Sequence, residues 1–188
     1  MIITITGYPG SGKSTLGKGI AKALQLKHYS AGDFLRQIAK EQGMSLLQIH
    51  KAMEKDRRID YELDKRTAAL GKQHDNFVID GRVAWHFIPN SIKIFVKIDL
   101  KKAAERVFDD TCQGKAERCN EKENKSIEAT VQNMQKRMQM NQARYKKLYG
   151  IDYLDENNYD IVVDTSETGI EETREKVLKK VKQYLSRK

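Results

Sequence analysis

Gly7-Tyr8-Pro9-Gly10-Ser11-Gly12-Lys13-Ser14, followed by Thr15, fits G-x-x-x-x-G-K-[ST], the spacing of a phosphate-binding loop. Backbone N–H groups can wrap around polyphosphate oxygens only with angles and a close approach that glycine permits. Lys13 then supplies a cation for the outer phosphates, and the Ser14 hydroxyl a ligand for Mg²⁺. A pattern this short recurs by chance, so its flanks decide. Before it, Met1-Ile2-Ile3-Thr4-Ile5-Thr6 carries β-branched residues at five consecutive positions and reads as a buried strand. After it, Leu16, Ile20 and Leu24, with Ala21 and Ala23 between, read as a helix whose N-terminus faces the anion. A glycine-rich turn that binds nothing would not need this strand–loop–helix context.

Three further groups carry polar chemistry. Ser30 and Asp33 have the S-x-x-D spacing of a capping box before a helix with Phe34, Leu35 and Ile38. Alternatively, the strand ending there reaches the sheet edge where α/β folds bind ligands, and Asp33 and Arg36 serve a second substrate. Asp80 closes the apolar run Phe77-Val78-Ile79 and precedes Gly81-Arg82, the place of an acid that holds a metal's water shell. Arg137, Asn141 and Arg144 share one helical face. They either line a phosphate and a polar ring edge or form an ordinary solvated surface.

The elements that must position these residues alternate. Strands are expected at residues 1–6, 26–29, 77–80, 92–98 and 159–163. Helical patterns cover 33–41, 45–55 and 60–73 between the second and third strands, too much chain for one crossover helix. They suggest an inserted lobe able to close over a ligand. Further helices are expected over 100–110, 126–149 and 170–185, the long one with a core stripe of Ile127, Val131, Met134, Met138, Tyr145 and Leu148. Apolar content collapses from Thr111 to Lys125, which reads either as a lid over a site or as disorder without function. Five strands alternating with helices predict a parallel sheet covered on both faces.

Composition narrows the classes. At 188 residues and 39% hydrophobic, the chain suits one domain with a single core. No run approaches the roughly 18 apolar residues of a membrane span. The chain begins directly in strand pattern, so a cytoplasmic location is expected. Cys112 and Cys119, with six residues between them, match no common zinc or redox spacing and read as reduced surface thiols. The net charge of +9 is spread along the chain without a basic arm or a stacking platform. Phosphate-bearing nucleotides are therefore the expected partners, with no nucleic acid and no membrane.

The chain resembles the nucleoside monophosphate kinases, and most closely the short, archaeal-type cytidylate kinases. The resemblance runs nearly end to end. It includes the phosphate loop, Ser30 through Arg36, Glu54-Lys55-Asp56 through Ile59-Asp60 to Asp64, Asp80-Gly81-Arg82 and Ala104-Glu105-Arg106. Arg144-Tyr145, Tyr149 through Asp152 and Tyr159 through Val162 complete it. It implies an α/β fold of the P-loop NTPase type, three-layer α/β/α with a five-stranded parallel sheet. Within a single domain over 1–188 it implies a helical monophosphate-binding lobe at about 31–73 and a lid at about 109–126.

The implied reaction transfers the γ-phosphoryl of ATP to CMP or dCMP with Mg²⁺, by a monomer. Gly7, Tyr8, Pro9, Gly10, Ser11, Gly12, Lys13, Ser14 and Thr15 would hold the ATP phosphates, with Ser14 on Mg²⁺ and Asp80 behind it. Arg36 and Arg82 would grip the monophosphate, with Ser30 and Asp33 in the acceptor pocket. Arg106 would flank the adenine. Lys13, Arg137 and Arg144 would neutralise charge on the transferring group.

Two departures stand out. Asn141 replaces a carboxylate, which leaves the choice of base open, because an amide both accepts and donates. Asp109-Asp110 replace basic residues one turn after Arg106, and Arg118 is the candidate for the missing lid charge. Competing expectations are an adenylate kinase or other small-molecule kinase, a nucleotide-controlled switch, and a nucleic-acid-binding protein. The switch lacks its N-K-x-D motif, since Asn124-Lys125-Ser126-Ile127 has no aspartate.

Overall fold

The structure is a computed structural model that describes residues 1–44, 46–113 and 125–186. Branched side chains stiffen Ile2-Ile3-Thr4-Ile5-Thr6 into extended backbone, and this segment is strand β1 (Ile2–Gly7), buried from Ile3 onward. With β2 (Lys27–Ser30), β3 (Phe77–Asp80), β4 (Ile92–Lys97) and β5 (Ile161–Asp164) it forms one sheet in the order β2-β3-β1-β4-β5. The chain thus leaves β1 on one side and returns on the other, the kind of reversal beside which such sheets bind ligands. It divides into two compact units, Met1–Thr6 with Ser14–Ile94, and Gly7–Lys13 with Phe95–Lys188.

In the first unit β3 pairs in parallel with both β1 and β2, and the register sets Ser30 and Ile5 level with Asp80. Helix α1 (Lys13–Ala23) buries Leu16, Gly17, Ile20 and Ala21. The helices expected between β2 and β3 are α2 (Ala31–Glu41), α3 (Leu46–Lys55) and α4 (Arg57–Gln73). Leu35, Ile38, Ala39, Ile49, Met53 and Ile59 pack together among them. Gly43, at φ +64°, turns the chain after α2. Helix α4 starts at Arg57, ahead of the apolar pattern, because the Asp56 side chain accepts from the Arg58 N–H and caps it. The short helix α5 (Ala84–Phe87) follows β3 and was not expected; it packs Ala84 against Leu70, Phe77, Ile79 and Ile88.

In the second unit α6 (Leu100–Cys112) and α7 (Ile127–Tyr149) share a core of Ile98, Ala103, Ala104, Val107 and Met134. Thr111 and the exposed Cys112, expected in the loop, form the last turn of α6, where the Thr111 hydroxyl donates to the Val107 carbonyl at 2.8 Å. Strand β5 begins at Ile161 and not at Tyr159, because a 3-10 turn at Glu156–Asn158 takes up the chain and Tyr159 donates its hydroxyl to the Tyr153 carbonyl. Helix α8 (Ile170–Leu185) closes the chain with Val177 and Val181 buried. Residues 114–124, with Arg118, Cys119 and most of the expected lid, lie outside the described residues.

Candidate active site

The loop between β1 and α1 has the backbone that its glycines imply. Gly10 and Gly12 stand at φ +74° and +77°, where other residues are strained. A Cβ on Gly10 would lie 2.7 Å from the Ala103 carbonyl oxygen, and one on Gly7 only 2.1 Å from that of Val96. Both positions therefore exclude any side chain. The Lys13 ammonium folds back over the loop and donates to the Tyr8 carbonyl at 3.1 Å. The Ser11 hydroxyl is buried and has no hydrogen-bond partner among the described residues. A buried polar atom left in this way fits a polar ligand that completes the loop.

In the first unit, the carboxyl end of β3 gathers a second cluster. Asp80 is only 5% exposed. Its Oδ2 accepts from the Ser14 and Ser30 hydroxyls, each at 3.0 Å, and its Oδ1 lies 2.8 Å from His28 Nε2. An ionised carboxylate only accepts, so Nε2 carries the proton. Burial by itself pushes the Asp80 carboxyl up. The His28 imidazole, by hydrogen bond and by charge, and then the two hydroxyls outweigh burial and hold Asp80 below the usual carboxylate range. Thr6 donates to the Gly81 carbonyl at 2.8 Å and to that of Arg82 at 3.3 Å, which pins the turn after β3.

This cluster also tests the metal. A serine oxygen and one buried carboxylate are the hard donors that Mg²⁺ takes beside substrate phosphates. Because the Ser14 hydroxyl donates to Asp80, its oxygen lone pairs are left for a cation. Three of the carboxylate's roughly four acceptor positions are already used, which suits Asp80 to holding metal-bound water and not to direct ligation. The residues present fit the ion.

The expected acceptor residues lie close by in the same unit. Ser30 is the N-cap of α2, as its capping role requires, and accepts from the Gly32 N–H at 3.2 Å while donating to Asp80. Asp33 does not complete a capping box; its carboxylate forms an ion pair with Arg36, and both side chains are exposed. Arg82 is half-buried, and its guanidinium has no hydrogen-bond or ion-pair partner among the described residues. A half-buried guanidinium without a partner is an anion site in waiting.

In the second unit, Arg106 on α6 donates to the Thr165 carbonyl at 3.2 Å, which fixes it beside the end of β5. On α7, Arg144 donates to Asn141 Oδ1 and to the Tyr145 hydroxyl, both at 3.2 Å, and its guanidinium lies 5.1 Å from the Tyr145 ring centre. Arg137 lies exposed on the same helix. The shared face of Arg137, Asn141 and Arg144 is thus partly pre-ordered.

The residue that sequence reasoning missed is His28. Its one signal was its place near the end of a strand leading to Ser30, which many core histidines share.

Comparison with known proteins agrees with this arrangement. The profile of the cytidylate kinase-like family matches residues 2–167. The cytidylate kinase of Methanocaldococcus jannaschii is 38% identical over 172 residues, covering 91% of this chain and 92% of that protein. That of Methanococcoides burtonii is 34% identical over 166 residues, covering 88% of each. Among solved structures, the shikimate kinases of Aquifex aeolicus and Bacteroides thetaiotaomicron superpose with TM-scores of 0.59 and 0.67. They are 20% and 11% identical, with 98% and 97% of this chain covered and 98% of each of theirs. At that identity they speak for the fold alone, the expected three-layer α/β/α arrangement. A family profile that runs from β1 past β5, together with relatives aligned over nine-tenths of their length, leads to one conclusion: this chain belongs to the cytidylate kinase-like family.

Proposed function

We propose that this chain transfers the γ-phosphoryl group of ATP to CMP or dCMP, giving ADP and (d)CDP, with Mg²⁺ as the metal. The observation that carries the reading is the loop at Gly7–Ser14, with two glycines at positive φ, Lys13 over its backbone and the Ser14 proton held by Asp80. An oxygen of the acceptor monophosphate attacks Pγ, and the bond from Pγ to the β-phosphate oxygen breaks. No general base is required, because the acceptor oxygen is already ionised. The work is positioning and charge compensation.

Gly7–Thr15 hold the donor phosphates. Lys13, Arg137 and Arg144 offset the charge that spreads over the transferring group, and Arg106 flanks the adenine. Arg36 and Arg82 grip the acceptor phosphate, with Ser30 and Asp33 around it and Asn141 toward the base. On this reading Asp33 releases Arg36 to the incoming phosphate. Ser14 ligates the metal and Asp80 orients its water; when bound, the ion supplies further neutralisation of the phosphate oxygens. Helices α2 to α4, within about 31–73, act as the monophosphate lobe and the segment at about 109–126 as the lid. The active form is a monomer with nucleotides as its partners.

A coupled ADP-release assay over CMP, dCMP, UMP and AMP tests the reading. Turnover with CMP and dCMP above AMP is expected; preference for AMP, or ADP release with none of them, defeats it.

A further inference from the structure

Gly17 lies buried in the middle of α1, where glycine is a poor helix former. Its reason is across the unit's interior. A Cβ there would stand 3.0 Å from His28 Nε2 and 3.2 Å from His28 Cδ2. The helix thus keeps open the space that the imidazole fills, and the ring in turn reaches Asp80 Oδ1 at 2.8 Å. The His28 side chain is 14% exposed. An aliphatic residue would fill the same place without burying two ring nitrogens.

We propose that His28 is a positioning residue for the Asp80 carboxylate. Its Nε2–H commits Oδ1 and so turns Oδ2 toward the Ser14 and Ser30 hydroxyls. A carboxylate held at one oxygen cannot rotate away from Ser14, so the serine O–H stays directed at Asp80 and the serine oxygen's lone pairs stay directed outward. Groups of this kind, one step removed from a metal, tune its affinity by orienting the residues that meet it. The inference rests on the proposed pairing of Ser14 and Asp80 with Mg²⁺.

The test is calorimetric titration of ADP into the full chain, in MgCl₂ and in EDTA, for wild type, His28→Leu, His28→Asn and His28→Gln. In the wild type Mg²⁺ tightens ADP binding. In His28→Leu that gain falls by about tenfold or more, the usual scale for losing such an orienting group, while ADP affinity in EDTA is unchanged. The glutamine amide nitrogen reaches about as far as imidazole Nε2, so His28→Gln keeps the gain; the shorter His28→Asn loses it. Gly17→Ala, which crowds the ring, follows His28→Leu. In kinetic assays the Mg²⁺ concentration for half-maximal rate rises in step, with kcat at saturating Mg²⁺ nearly preserved.

A folded His28→Leu protein with the wild-type Mg²⁺ gain overturns the proposal. Equal behaviour of the Asn and Gln variants overturns it as well, and decides the matter should His28→Leu not fold. Absence of any Mg²⁺ gain in the wild type does the same. A chain that shows the expected pattern with ADP yet phosphorylates no monophosphate would defeat the proposed reaction and leave the role of His28 intact.

Discussion

Lys13 donates to the carbonyl of its own loop and packs into none of the core clusters. Lys13→Ala should therefore fold normally and lose more than about a hundredfold in kcat, the scale of removing one preorganised charge donor. Circular dichroism and the coupled assay check the two halves of that expectation. Arg82, half-buried and without an ion-pair partner among the described residues, should act on the acceptor. Arg82→Ala should raise KM for CMP well above any change in KM for ATP, and Arg36→Ala should do the same. A rise in the ATP KM alone would show the two pockets to be exchanged. At Asn141 the structure sharpens the expectation from sequence. Its Oδ1 accepts from Arg144, so the amide NH₂ is the group left to meet a base. An NH₂ suits a carbonyl better than an amino group, and measurable UMP activity beside CMP activity is expected. Asn141→Asp should shift relative kcat/KM toward CMP by about 1–3 kcal/mol, the scale of an opposed buried acceptor. An unchanged CMP/UMP ratio would move base selection to the lobe of α2, α3 and α4.

At the scale of elements, caps and glycines decide where structure starts and stops. Asp56 caps α4 through the Arg58 N–H at 2.9 Å and also binds the Arg58 guanidinium. Asp56→Ala should cost about 1 kcal/mol, the usual loss for an N-cap. Because α4 packs with α2 and α3 around a shared apolar cluster, the loss should appear as faster amide hydrogen exchange within 31–73. Equal acceleration throughout the chain would contradict a lobe with its own local stability. Helix α7 shows the same logic at both ends, with Ser126 accepting from the Ala129 N–H and Gly150 turning out at φ +72°. These signals are local, which is why the ends of α7 could be read from sequence. At β5 a side-chain contact set the boundary. The Tyr159 hydroxyl bonded to Tyr153 keeps that stretch out of β5.

For the whole molecule, the expected consequence is coupling of ligand to stability. A nucleotide that binds only the folded chain, at about a hundred times its Kd, adds about 2.7 kcal/mol. For a chain of 188 residues that corresponds to a rise in Tm of roughly 5–10 °C. Mg·ADP should produce it, ADP in EDTA should produce less, and the difference should vanish in Asp80→Ala. Differential scanning fluorimetry reads all three. The positive net charge of +9 fits anionic ligands, and part of it is engaged in ion pairs such as Arg66 with Glu41 and Glu62.

By itself the sequence determined whatever short-range physics controls. Branched residues made β1 a strand, the glycine spacing made Gly7–Ser14 a loop with two residues at positive φ, and apolar periods of three and four placed the helices. The chain length between β2 and β3 called for more than one helix, and three stand there. Tertiary structure decided what depends on the alignment of distant segments. Asp80 meets His28, Ser30 and Ser14 across 52, 50 and 66 residues of chain. No local period encodes that meeting. It follows from the parallel register that sets Ser30 level with Asp80, and from a glycine in α1 that leaves room for a ring on β2. Side-chain alternation along β2 tells which face His28 takes, but only the pairing of β2 with β3 tells which carboxylate it finds.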